Sequence, residues 1–298
     1  MHGPPTPSTI GENRYVLEVE IGSGGMATVW RVLDRKTGNH RALKLLRHAA
    51  AKTEKTRTRF EQEARTMARL RHRNIVTIQD IGSNADFSWF VMDLCAGGNV
   101  AARLKREGPC KPITALSYLF DALLGLDYAH AAGVIHRDMK PHNMLLDTGD
   151  VVRLSDFGIA RDEQFDQGAR LTGMGDTLGT LAYMAPEQRV DPRKAGAAAD
   201  IYGLGATLYI MVTGRRPFEL SLAGIDPTVL ERLPVALRPL VRRAVAHNPN
   251  DRFPSARAMA QAVSEVCEQL DPDAAPAAQL MLAFGEEDAP TVQDERLR

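Results

Sequence analysis

Two short segments hold the residue types that metal and phosphate chemistry needs. HRDMKPHN, running from His136 to Asn143, packs an acid, a base and an amide into a few positions between a helical stretch and the apolar run MLL. SDFG, from Ser155 to Gly158, follows a second short apolar run, VVRL. Both read as loops at strand edges, which brings Asp138, Lys140, Asn143 and Asp156 to one mouth. Asn143 and Asp156 offer hard oxygen atoms suited to magnesium, an ion that keeps several waters and shares its coordination with nucleotide phosphates.

A third group lies upstream. Lys44 sits in the strand-like ALKLL, where Leu43 and Leu45 point to the opposite face. Outward snorkelling alone would account for such a lysine. Glu63 argues against that, because it shares a helical face with Phe60 and Met67, and a carboxylate on a buried face is costly unless paired. Lys44 is its obvious partner, and the pair would hold an ammonium ready for phosphate. Further upstream, IGSGGMATVW places Gly22 and Gly24 where backbone can approach a phosphate closely, with Ala27 as the third small residue. A hairpin with a flexible turn explains these glycines equally well when they are taken alone. A dinucleotide-binding fold shares their spacing, but there the glycines open a helix, whereas ATVWRVLD reads as a strand. Strand, glycine turn and strand describe a flap over a nucleotide.

These residues need elements to position them. From Tyr15 to Leu46 short apolar runs broken by GSGG and KTGNH predict consecutive antiparallel strands. Arg57 to Arg71 carries Phe60, Ala64, Met67 and Leu70 on one helical stripe. SWFVMDL reads as a strand, Ile113 to Ala132 as a long apolar helix, and Ile201 to Val212 as a helix apolar nearly all round, hence buried. The proline-bearing start, residues 1–12, is expected to be a disordered leader, with structure starting near Asn13. Residues 271–298, rich in Ala, Pro and acidic side chains, are expected to be a flexible tail. Lys plus Arg number 37 and Asp plus Glu number 37, so no global field favours nucleic acid or an anionic membrane. Three widely spaced cysteines without a metal-ligand pattern suit a reducing cytoplasm. No uncharged apolar run approaches the roughly 18 residues of a membrane span.

The order of these motifs, with GTLAYMAPE and DIYGLG following DFG, resembles the eukaryotic-like serine/threonine protein kinases, especially their bacterial branch, from about Tyr15 to Leu270. The resemblance implies an α+β fold of two lobes: a small antiparallel-sheet lobe with one helix over residues 13–95, and a larger, mainly helical lobe over 96–270. It implies transfer of the ATP γ-phosphoryl group to serine and threonine hydroxyls of proteins, with Mg²⁺ or Mn²⁺ as cofactor. Lys44 would hold the α- and β-phosphates, Asp138 would accept the hydroxyl proton, Lys140 would stabilise the transferred group, and Asn143 and Asp156 would bind the metal. Ile21, Val29, Ala42 and Leu145 would sandwich the adenine, Met92 would lie behind it, and Asp93 and Cys95 would bond its edge through their backbone. Thr180 would face substrate and Asp138, Asp200 would brace the catalytic loop, and Glu187 would pair with Arg252.

Some positions depart from the family pattern. Arg41 and Met139 stand where apolar residues are usual, and the stretch from Phe218 to Arg252 is short, which predicts a cut-down helix. Two other readings fit parts of the chain. A scaffolding pseudokinase would have lost the lysine or one of the aspartates, and a small-molecule phosphotransferase would ordinarily lack TLAYMAPEQ. The resemblance also implies a pocket of Arg59, Arg137 and Arg161 that would gather an autophosphorylated Thr172 or Thr177, with Asp176 as a carboxylate already in the loop. Thr291, with Asp294 three residues on, has a spacing that resembles those read by forkhead-associated phosphothreonine-binding domains.

Overall fold

Six antiparallel strands in the order β1-β2-β3-β4-β6-β5 form the first of two units into which the chain divides, Met1–Ala96. They are β1 (Thr9–Ile10), β2 (Tyr15–Ser23), β3 (Ala27–Asp34), β4 (Asn39–Leu46), β5 (Ile78–Ser83) and β6 (Ser88–Met92), with helix α1 (Glu54–Ala68) inserted after β4. The computed structural model describes residues 7–24, 27–46, 54–84, 86–157, 181–191, 195–222 and 228–271. The expected tail beyond Asp271 and the first six residues of the expected leader lie outside them.

Strand alternation gives this sheet two different faces. One carries Val32, Leu43, Leu45, Trp89 and Val91, which cluster with Ile10 and Tyr15 into an apolar core. The other presents Val29, Ala42, Lys44, Phe90 and Met92, brought into rows by the pairings Val29↔Lys44↔Phe90 and Ala42↔Met92. Helix α1 packs on this second face, its Phe60 ring 5.0 Å from that of Phe90. Phe60, Ala64, Met67 and Leu70 are all buried, as their spacing predicts.

Order begins before Asn13, which corrects the expectation of a disordered leader through residue 12. Thr9↔Val16 and Ile10↔Tyr15 pair β1 with β2, and Ile10 is 4% exposed. The segment lacks readable periodicity because two residues suffice: one aliphatic side chain enters the core, and a turn at Gly11 to Asn13 with positive φ reverses the chain. Arg14 locks that turn. It donates from Nε and Nη2 to both carboxylate oxygens of Asp34 at 2.9 Å and from Nη1 to Asp80 at 2.9 Å, while the Tyr15 hydroxyl donates to Asp80 at 2.6 Å. The guanidinium holds the buried Asp34 carboxyl well below the usual carboxylate range, and burial pushes the Tyr15 phenol up.

The second unit, Gly97–Arg298, is mainly helical. Helix α2 (Val100–Glu107) starts where the Asn99 side chain accepts from the Ala102 N–H and stops at Gly108. Helix α3 (Pro112–Ala131) opens on a proline and is buried along most of its length. The short pair β7 (Met144–Leu146) and β8 (Val152–Leu154) follows, then α4 (Pro186–Val190), α5 (Ala197–Thr213), α6 (Thr228–Glu231), α7 (Arg238–Ala244) and α8 (Ala256–Leu270). Helix α5 is buried almost throughout and ends at Gly214 in the left-handed region, as an apolar run without a polar face requires. Helix α3 packs against α5, α8 and β8. Four residues of helix α6 are described, in the stretch between Phe218 and Arg252 where a cut-down helix is expected, and residues 223–227 before them lie outside the described residues. No helix among the described residues is long and apolar enough to cross a membrane.

Ile10→Ala is expected to lower the unfolding free energy by about 2–5 kcal/mol, the usual cost of emptying a buried aliphatic site. Urea denaturation measures it, and an unchanged midpoint would mean that β1 lies outside the cooperative fold.

Candidate active site

The residues singled out in the sequence fall into one group in each unit. In the first unit Lys44 Nζ meets Glu63 Oε1 at 2.8 Å and lies 5.4 Å over the Phe90 ring. Both side chains are largely shielded, so the pair is more than a surface contact worth a few tenths of a kcal/mol. Val29 stands beside Lys44 and Gly22, and Ala42 beside Met92, all reached from neighbouring strands. Gly22 lies in β2 and Gly24 just after it, and the Gly24 N–H donates to the Ala27 carbonyl of β3 at 2.9 Å. Ile21 is half exposed, while Ala42, Met92 and Cys95 are buried.

Arg41, a charge next to apolar Ala42, has a partner. The Ala42↔Met92 pairing sets it beside Asp93, and Nη1 lies 3.4 Å from Asp93 Oδ1. Gln79 Nε2 donates to the same oxygen at 2.8 Å, and the Asp93 N–H donates to the Thr77 carbonyl at 3.1 Å. Asp93 is thereby held from both flanking strands.

In the second unit the segment 136–143 joins α3 to β7 and rests on α5. The Asp200 carboxylate, 1% exposed, accepts from the His136 N–H at 2.9 Å and the Arg137 N–H at 2.7 Å, with His130 Nε2 at 2.8 Å. Asp200 thus braces the loop through its backbone, as expected. Gly203, one helical turn on, lets α5 come so close that an added Cβ would lie 2.8 Å from Met139 Cβ and 2.9 Å from its carbonyl oxygen. Met139 is buried at that contact, which is why an apolar side chain of its shape is accepted there.

Asp138, Lys140 and Asn143 converge. Lys140 Nζ lies 2.9 Å from Asp138 Oδ2, and Asn143 Nδ2 donates to Asp138 Oδ2 at 3.1 Å and to the Asp138 carbonyl at 2.7 Å. With its nitrogen so committed, the Asn143 amide presents Oδ1 as its remaining polar atom. Asp156 follows β8 with φ 54°, a left-handed conformation rare outside glycine. Its neighbours are tied to the same loop, because the Ser155 N–H donates to the Asn143 carbonyl at 3.0 Å, and the Phe157 ring packs 4.5 Å from that of His136. Leu145 sits in β7 and bridges Asn99. Gly158, Arg161, Thr172, Asp176, Thr177 and Thr180 lie outside the described residues, as do Thr291 and Asp294.

Downstream, Glu187 and Arg252 form a bidentate pair at 2.7 and 2.8 Å. The remaining guanidinium N–H groups go to the carbonyls of Ala198, Ala246 and His247. The Arg252 side chain is fully buried, and this complete set of partners offsets its desolvation.

Two contributors were not read from the sequence. Gln188 donates from Nε2 to the Arg137 carbonyl at 2.7 Å. His136, fully buried, accepts at Nδ1 from the Asp138 N–H at 3.2 Å and therefore donates from Nε2 to the Ser155 carbonyl at 2.9 Å. Burial pushes the His136 imidazole below its ordinary value, and the geometry agrees, since a second ring proton would confront the Asp138 N–H.

A folded-state value below the ordinary histidine pKa of about 6.5 means the unfolded chain takes up a proton that the folded chain refuses. Stability is therefore complete above about pH 6.5 and is lost as the pH falls below it. The melting temperature of the wild type is expected to drop more steeply than that of His136→Gln between about pH 7 and pH 5. Parallel slopes would show that the ring is charged in the fold.

Comparison with known proteins identifies the family of the chain. Residues 15–269 match the family model described as protein kinase domain. The chain is 36% identical over 278 residues to serine/threonine-protein kinase PknL of Mycobacterium tuberculosis, spanning 89% of this chain and 69% of PknL. It is 38% identical over 250 residues to PknE of the same organism, spanning 80% of this chain and 44% of PknE. Among solved structures the kinase domain of M. tuberculosis PknI is similar at 28% identity and a TM-score of 0.67, over 88% of this chain and 99% of that one. The chain belongs to the protein kinase family, in its serine/threonine branch, and transfers the γ-phosphoryl group of ATP to serine and threonine hydroxyls of proteins.

Proposed function

We propose that Asp138 accepts the proton of the protein serine or threonine hydroxyl, that Lys140 stabilises the group in transfer, and that Lys44, held by Glu63, takes the α- and β-phosphates of ATP. Asn143 and Asp156 hold Mg²⁺, or Mn²⁺ in its place. The observation that carries this reading is the contact set around Asp138. Its carboxylate is gripped by Lys140 and Asn143, which fix its direction, and a base in fixed position is what general-base catalysis requires. The donor set suits a hard divalent ion, since Asn143 presents an amide oxygen and Asp156 a carboxylate. When bound, such an ion neutralises charge on phosphate oxygens.

The adenine is taken by Ile21, Val29, Ala42, Met92 and Leu145, with backbone bonds from Asp93 and Cys95. The Asp93 N–H is already given to Thr77, so Asp93 would meet the adenine with its carbonyl. Gly22 and Gly24 admit the phosphates to the backbone. The half-exposed Ile21 is apolar surface that a base would cover. Three thiols without a disulfide, Cys95, Cys110 and Cys267, support a cytoplasmic setting.

Autophosphorylation of Thr172, Thr177 or both belongs to this reading, with Asp176 as the carboxylate alternative and Arg59, Arg137 and Arg161 as basic partners. A phosphothreonine reader of the Thr291 segment is a further proposed partner.

Lys44→Met and Asp138→Asn are each expected to cut phosphotransfer to a protein acceptor by about 100-fold or more; Asp138→Asn leaves the melting temperature unchanged, whereas Lys44→Met, which strands the shielded Glu63 carboxylate, lowers it without unfolding the chain at 25 °C. Turnover near wild type in either variant would overturn its assignment. ATP is expected to raise the melting temperature only when Mg²⁺ or Mn²⁺ is present. The same shift in excess chelator would remove Asn143 and Asp156 from metal binding.

A further inference from the structure

The carbonyl that Gln188 holds belongs to the peptide group joining Arg137 to Asp138. The N–H of that same peptide donates to His136 Nδ1 at 3.2 Å, while its oxygen accepts from Gln188 Nε2 at 2.7 Å. A peptide group is a rigid plane, so partners at its two ends oppose its rotation. Rotation of this plane changes ψ of Arg137 and φ of Asp138, and with them the direction of the Asp138 side chain.

The plane needs such restraint. Arg137 has φ 65°, a left-handed conformation that costs a non-glycine residue about 1–3 kcal/mol and persists only where neighbours impose it. Asp200 restrains the preceding peptide through the Arg137 N–H. On the following peptide, the one that leads into Asp138, the partners are His136 and Gln188. A small cavity lined by Asp138, Met139, Tyr183 and Gly203 adjoins Gln188.

Gln188 is itself firmly placed. It is 5% exposed in α4, next to Glu187, whose carboxylate is anchored on the buried Arg252. We infer that Gln188 is a positioning residue for Asp138, through which the segment 181–190 sets the direction of the carboxylate that receives the substrate proton. The inference rests on the assignment of Asp138 as that acceptor.

The test uses the full chain with casein as acceptor and compares Gln188→Met, which keeps length and loses the donor, with Gln188→Glu, which keeps shape and sets an oxygen against the carbonyl. Both are expected to fold and to lower kcat about 10-fold or more while KM for ATP stays within about twofold, the split that a loss of ground-state ATP binding would not give. A kcat within about twofold of wild type in a folded variant overturns the inference, as does a rise in KM for ATP that matches the fall in kcat. If Gln188→Met fails to fold, Gln188→Glu carries the test; if neither folds, the side chain is structural and the inference fails. Asp138→Asn is measured alongside. Wild-type turnover in that variant overturns the acceptor assignment itself, and the inference with it, whereas loss of activity there with active Gln188 variants overturns the inference alone.

Discussion

A carboxylate that is 1% exposed has to be surrounded by donors, and at Asp200 they are the His130 ring and the backbone of the loop 136–143. The magnitudes decide which side yields. Holding Arg137 in the left-handed region costs about 1–3 kcal/mol, whereas a hydrogen bond to a charged group contributes about 1.5–3 kcal/mol, and Asp200 accepts two from the loop. The backbone bends to the carboxylate. Once it does, His136 is carried inward and buried, its ring has one proton to give, and the Ser155 carbonyl receives it. The position of the loop bearing Asp156 is thus inherited from a charge outside the proposed catalytic set.

The sheet of the first unit obeys a different constraint. Its pleat sends Leu43 and Leu45 into one core and leaves Lys44 on the other face, where α1 covers it. An ammonium there needs a counter-charge, and Glu63 is the residue of α1 whose spacing places it opposite. One alternation therefore stabilises the unit and aims a cation, with no separate element devoted to either task.

These arrangements were legible to different degrees. The Lys44–Glu63 contact could be read because periodicity puts the Glu63 carboxylate on a buried face, where it needs a partner that Lys44 of the preceding strand can supply, and Asp138, Asn143 and Asp156 because their types and spacing are chemically unusual. Strand β1 could not be read: two residues make no period, and Ile10 is recognisable as core only once Tyr15 and Trp89 surround it. Arg41 looked like a misplaced charge until the register of β4 and β6 set it beside Asp93. Gln188 and His136 escaped for a further reason. Their partners are backbone atoms, and a motif written in side chains carries no mark of which carbonyl or N–H each side chain will meet.

The Glu187–Arg252 pair also governs how this sequence can change over generations. Every N–H of that guanidinium is engaged, two with the carboxylate and three with main-chain carbonyls, in a place where the arginine is wholly buried. A lysine offers three donors from a single atom and would leave oxygens stranded; loss of the glutamate would strand the cation. Neither position can drift by itself, and a route through single replacements descends before it rises. Though separated in sequence, the two residues are coupled into one unit, so that replacing either alone carries the cost of the partner left behind.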